Sequence, residues 1–288
     1  MSCGVDARGL VLAGALLVAA TPALASERLV SLGGDVTEIV FALGAGERLV
    51  AVDGTSQYPA TAEDLPDVGY LRRLAAEPIV ALAPDLVLAS AAAGPPVVLD
   101  QLAKAGIPVV TIPDEPDVAG VVAKIEAVGA ALDLASEAKR LANDVERRVA
   151  AVDEALGGVP DRPRVLFMLD IGRGAPLTGG RDTSAAAIIA LAGGANAVDG
   201  FAGYKPLSQE AAIVAAPDVV LLPEATLQAL GGPEALFERP ELRSSPAAAA
   251  GRVVAMDGLL LLGFGPRLGE AVLTLARALH PDLPLEAR

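Results

Sequence analysis

The sequence predicts an α/β protein of two Rossmann-like lobes bridged by a long helical spine. Three observations carry that expectation: short β-branched or Leu-rich runs alternating with helical patterns, one long strand-free stretch mid-chain, and a gapless internal repeat. The runs cover 28–32, 49–52, 86–89, 109–112, 165–169, 219–222 and 253–256. Strands buried on both faces of a parallel sheet read as continuous apolar runs of this kind.

The first four runs supply an N-terminal lobe, residues 27–114. Its opening helix is announced by Asp35-Val-Thr-Glu38, read as a capping box with Asp35 as the cap and Glu38 three residues on, running through Phe41 to Leu43 and stopped by Gly44. Residues 115–160 form the spine. Val121, Ile125, Val128 and Leu132, then Leu141, Val145, Val149 and Val152, recur at helical spacing with a break near 133–136. Gly157-Gly158-Val159-Pro160 ends the stretch. The remaining runs build a C-terminal lobe, residues 161–288.

Residues 74–88 (LAAEPIVALAPDLVL) align without gaps to 207–221 (LSQEAAIVAAPDVVL). Each copy predicts a short helix, an Ala-Pro-Asp turn and a buried strand. Gly69-Tyr70 precedes the first copy and Gly203-Tyr204 the second, one residue closer. Two lobes on one plan face each other across a cleft with equivalent loops lining it.

At the N-terminus, Arg8, an apolar run over 9–20 and Ala23-Leu24-Ala25 have the layout of a secretory signal peptide, residues 1–25, cut after Ala25. No later apolar stretch is long enough to span a bilayer, which argues against membrane insertion. The single cysteine, Cys3, lies ahead of the apolar run and fits neither a disulfide nor a lipid anchor. Removing 25 residues leaves about 260, more than the roughly 100–200 of one domain. The formal charge is −14 with no basic run, which disfavours a nucleic-acid partner.

Enzyme signatures are absent. There is no G-x-S-x-G and no P-loop, and Gly172-Arg-Gly174 and Gly263-Phe-Gly265 fail as dinucleotide loops. The only histidine, His280, closes the last helical pattern, where a helix C-terminus favours it. A rival enzyme would have to use carboxylates such as Asp53, Asp170 or Asp182. One imidazole and no thiolate in the mature chain exclude an ordinary transition-metal site.

Tyrosine is the iron-binding side chain left, as a phenolate toward ferric haem. There are three: Tyr58, Tyr70 and Tyr204. Tyr70 sits in Asp67-Val-Gly-Tyr-Leu-Arg72-Arg73. In an extended segment Tyr70 and Arg72 share a face, and a cation beside a phenol favours the phenolate. Arg73 is better placed for the backbone or a propionate. The other reading is a surface turn tyrosine with two solvated arginines.

Here the residues resemble a known family: the haem-binding substrate-binding proteins of ABC importers, in the larger group that carries vitamin B12 and siderophores. The resemblance runs from Arg28 to about Pro281. It rests on Leu65-Pro-Asp-Val-Gly-Tyr70-Leu-Arg-Arg-Leu-Ala-Ala-Glu77, Gly203-Tyr-Lys-Pro-Leu-Ser208 and Met256-Asp-Gly-Leu-Leu-Leu-Leu-Gly-Phe-Gly-Pro-Arg267. It implies a class III periplasmic binding protein fold, a periplasmic location, no catalysis and a monomer. The cargo implied is one haem b in the interlobe cleft, with a ferric siderophore or cobalamin as the alternative.

The resemblance places Tyr70 on the haem iron, with Arg72 hydrogen-bonding its phenolate. Some members add a histidine from the other lobe, near 169–173; this chain has none there, so Tyr70 is expected to hold the iron alone. Glu77 and Glu210, equivalent in the repeat, map to the acidic residues that dock each lobe on the permease dimer, which works with its ATPase. Supporting candidates are Arg73, Tyr204, Lys205, Arg173, Arg181, Arg267 and Phe264, whose glycine-flanked turn would bring an aromatic to the porphyrin. Pro59 and Tyr58 would shape the first lobe's rim.

Overall fold

The computed structural model describes residues 28–157, 159, 161–169 and 175–285 together with Met1. Residues 2–25 of the expected signal peptide, Asp170 and Arg173 lie outside the described residues.

The first lobe runs β1 (Leu29–Leu32), α1 (Gly34–Ala42), β2 (Leu49–Val52), α2 (Ala76–Ala81), β3 (Leu86–Ser90), α3 (Pro96–Lys104) and β4 (Val109–Ile112). Its four strands are parallel in the order β2-β1-β3-β4. Val30, Leu32, Val87 and Ala89 point to one buried layer and Leu29, Leu86 and Leu88 to the other, so alternate residues fill both faces.

Two helices follow, α4 (Val118–Ala131) and α5 (Ala135–Leu156). The expected spine is therefore a helical hairpin. Asp117 caps α4 by accepting from the Gly120 amide at 2.6 Å. The turn uses Asp133 at φ 61°. Gly129 permits the close approach of the two helices, because a Cβ there would stand 2.3 Å from that of Ala138. α4 packs on α1 and β4, while α5 packs on the final helix. One hydrophobic core runs from Leu29 and Leu88 through Val121, Ile125 and Val145 of the hairpin to Phe167, Leu221 and Leu275.

The second lobe runs β5 (Arg164–Phe167), β6 (Leu177–Gly179), α6 (Ser184–Leu191), β7 (Ala195–Asn196), β8 (Tyr204–Pro206), α7 (Gln209–Ala215) and β9 (Val219–Pro223). It ends with α8 (Glu224–Leu230), α9 (Pro233–Phe237), α10 (Pro246–Ala250), β10 (Val253–Met256), α11 (Gly258–Leu262) and α12 (Leu268–Leu279). The parallel sheet has the order β10-β9-β5-β7, and β6 and β8 form a separate antiparallel ribbon.

Taken from its other edge, β7-β5-β9-β10 reproduces β2-β1-β3-β4. The repeat is thus structural. Asp85 accepts from the Arg28 amide at 3.1 Å and Asp218 from the Arg164 amide at 2.8 Å. The matched Ala83 and Ala216 both take positive φ, 45° and 40°, to end their helices.

The capping box is corrected. The cap of α1 is Gly33, and neither carboxylate caps the helix, because each is claimed by a distant cation. Asp35 pairs with Lys124 and Glu38 with Arg267.

Candidate functional site

The loop after β2 is tied down before it reaches Tyr70. Asp53, 1 % exposed, accepts from the amides of Gly33 at 2.7 Å and Thr55 at 2.9 Å, and from the Ser56 hydroxyl at 3.0 Å. That use leaves it no room for acid–base chemistry. The returning segment then hydrogen-bonds to β2 and its extension, Val68 to Val52 and Gly54 to Gly69, at 2.9 and 3.0 Å. Gly69 at φ 107° makes the bend that presents Tyr70.

The segment beyond is a turn, not the extended chain that the Tyr70–Arg72 spacing suggested. The Arg73 amide donates to the Tyr70 carbonyl at 2.8 Å, and Gly94 donates to Leu71 at 2.9 Å. A turn breaks the two-residue alternation. Arg73, not Arg72, lies over the Tyr70 ring, 5.6 Å from its centroid. Tyr70 is 46 % exposed, and among the described residues its hydroxyl has no hydrogen-bond partner. Arg72 is exposed and forms no ion pair among the described residues.

Tyr204 begins β8 and so lies on a ribbon strand, where its ring meets Phe167 edge-on at 6.3 Å. Its phenol is held above the ordinary tyrosine pKa by burial, against the opposing pull of the Ala185 amide, the Ser184 and Thr183 hydroxyls and the Arg72 charge. Arg72, on the first lobe's loop, is thus close enough for its charge to be felt at Tyr204. The Tyr204 hydroxyl meets polar groups at the start of α6, which suits anchoring.

The basic candidates divide. Lys205 is exposed with its ammonium 5.3 Å from the Phe201 ring centroid. Arg181 is exposed and donates to the Asp199 carbonyl. Arg267 is committed elsewhere: its Nη2 donates to Glu38 at 2.9 Å and its guanidinium lies flat on Tyr58, 3.5 Å from the centroid. Phe264, 2 % exposed, is part of the shared core, which corrects its placement against a porphyrin: its positive φ of 48° turns the ring inward among aliphatics.

Glu38 is buried, and burial pushes its carboxyl above the ordinary range, with Arg267 only partly opposing. A second tie sits beside it. Lys124, fully buried, donates to Asp35, to Asp114 at 2.8 Å and to the Gly263 carbonyl of the second lobe at 3.4 Å. Burial disfavours its charge, yet the two carboxylates outweigh that and raise its pKa. Sequence reasoning passed over this lysine, although its position on the apolar stripe with Val121, Ile125 and Val128 was a readable signal.

A cavity of about 450 Å³ opens beside Arg267, walled by Phe41, Tyr58, Leu141, Arg148 and Glu270 among others, and Tyr70 is not one of its walls. Its arginines are already ion-paired, Arg267 with Glu38 and Arg148 with Asp144. Glu77 and Glu210 are exposed in the first turns of α2 and α7. His280 caps the end of α12, 7 % exposed. Among the described residues no group of His, Cys, Asp and Glu is placed to hold a metal ion, and no helix is long and apolar enough to cross a membrane.

This two-lobed chain is matched by a family model described as periplasmic binding protein, over residues 29–259. The chain belongs to that family. Among solved structures, it is similar to the periplasmic haem-binding protein RhuT from Roseiflexus sp. RS-1 in apo form, with 42% identity and a TM-score of 0.86 over 89% of this chain and 98% of that one. The periplasmic haem-binding protein BhuT in complex with two haems shares 46% identity at a TM-score of 0.84, over 88% and 98% of the two chains. The periplasmic vitamin B12-binding protein BtuF of Vibrio cholerae lies further off, at 25% identity and 0.75. Among curated proteins, the vitamin B12-binding protein of Yersinia pestis is 46% identical over 88 residues, and the match spans 31% of that protein's length. Family and neighbours alike are binding proteins.

Proposed function

We propose that this chain captures ferric haem in the cleft between its lobes and delivers it, without catalysis, to an ABC permease and its ATPase. One observation carries the reading: Tyr70 stands open to solvent on a loop pinned at both ends, in a chain 42–46% identical to haem-binding proteins over most of its length. The other tyrosines are otherwise occupied, Tyr58 under Arg267 and Tyr204 at the start of α6.

In this reading the Tyr70 phenolate binds the iron of haem b. Arg73 already covers its ring, and Arg72 turns to hydrogen-bond the phenolate once iron is bound. Lys205, Arg181 and Arg173 supply charge for the propionates, and Arg267 acts through the lobe contact instead. The lobes, 27–114 and 161–288, shift modestly about residues 115–160, and Glu77 and Glu210 dock one lobe each on the permease dimer. The chain works as an exported, periplasmic monomer after loss of residues 1–25.

Titration of the purified protein with hemin, and separately with cobalamin, tests the cargo. Native mass measurement should give one haem per chain and no bound cobalamin. Cobalamin binding without hemin binding would transfer the protein to the B12 branch. Two haems per chain, as in BhuT, would correct the stoichiometry and leave the cargo standing.

A further inference from the structure

The docking helices carry more than their glutamates. In α2, Val80 lies three residues after Glu77; in α7, Ile213 lies three residues after Glu210, so each aliphatic shares a helix face with its carboxylate. Both are open to solvent, at 40% and 47%, although Ile79 beside Val80 and the strand aliphatics that close each copy of the repeat are buried. The repeat makes the pairs equivalent. It also sets Val214, 80% exposed, against Ala81 in the first lobe.

We infer that the docking face is aliphatic at its centre, with Val80 in the first lobe and Ile213 and Val214 in the second buried against the permease, the second lobe taking the larger share. The inference rests on the docking reading above and adds to it a partner chemistry. Neither glutamate has an ion-pair partner among the described residues, so each is available to a cation on the partner. Two like patches, one per same-plan lobe, fit a partner of two-fold symmetry that presents a cation beside a shallow apolar socket, twice. The patches are alike in layout and unequal in size. A homodimeric permease would therefore be gripped unevenly, one subunit meeting the larger aliphatic patch, with the two orientations about its two-fold axis equivalent.

Binding of haem-loaded protein to the permease–ATPase complex of the same cell, reconstituted in nanodiscs, tests this. Val80→Ser should weaken binding about 10-fold and the pair Ile213→Ser/Val214→Ser about 100-fold. Ala81→Val, which gives the first lobe what the second has, should tighten it about fivefold. These effects should persist in high salt, whereas those of Glu77→Ala and Glu210→Ala should shrink there. All variants should keep the hemin spectrum, since none is among the residues proposed to hold haem. Weakening by the glutamate variants alone would overturn the aliphatic centre and leave docking intact. No weakening by any variant would overturn both. An equal loss from the two lobes would overturn the uneven grip.

Discussion

The Arg267 guanidinium of the second lobe lies flat on the Tyr58 ring of the first, 3.5 Å from its centroid, while the same side chain holds Glu38 at 2.9 Å. The lobes are thus joined by a stacked cation as well as by the helical hairpin. Side-chain exposures of 18% and 5% for Arg267 and Glu38 make the pair a buried one. A buried pair is costly to break from one side, because the charge left behind has no water to return to.

Arg267→Met should destabilise the protein by about 3–5 kcal/mol in urea unfolding at pH 8. Glu38 binds its proton more tightly folded than unfolded, so its contribution is largest at low pH and is lost as pH rises through the raised folded value. Losing Arg267 raises that value further. The deficit of the variant should therefore be smaller at pH 5 than at pH 8, and a deficit independent of pH would contradict the assignment.

Lys124 makes a parallel case with the opposite charge. Lys124→Met leaves Asp35 and Asp114 facing each other and should cost about 3–5 kcal/mol, against a change within about 0.5 kcal/mol for Lys139→Met on the exposed side of α5. With its folded pKa raised, Lys124 contributes stability that is complete below the ordinary lysine value of about 10.4 and is lost as pH rises through the folded one. That alkaline loss should be absent from the double variant Lys124→Met/Asp35→Asn.

Tyr204 is expected to ionise late. Following tyrosinate absorbance, a component above pH about 10 should appear in the apoprotein and vanish in Tyr204→Phe. The same substitution should leave the iron ligand of bound haem unchanged. A lost haem spectrum in Tyr204→Phe would show that both lobes ligate.

Much of the fold was legible because its seven main strands are short apolar runs, the central ones buried on both faces, a pattern that needs only local reading. β6, β7 and β8 were not, since two- or three-residue pairings lack a period. Asp35 and Glu38 looked like a cap because sequence shows spacing and not partners, and theirs lie 89 and 229 residues away. The same limit hid the site's geometry. Tyr70 and its arginines could be picked out by type, but the turn that seats Arg73 on the ring depends on hydrogen bonds to Gly94 and to the end of β2. Arg267 and Phe264 resembled cleft residues for want of any sign that one would be claimed by Glu38 and the other by the core.

The central claim is that Tyr70 holds the iron. Absorbance of the hemin-loaded protein should show a tyrosinate-haem charge-transfer band that Tyr70→Phe abolishes, while Tyr58→Phe and Tyr204→Phe retain it. Survival of the band in Tyr70→Phe would contradict the account.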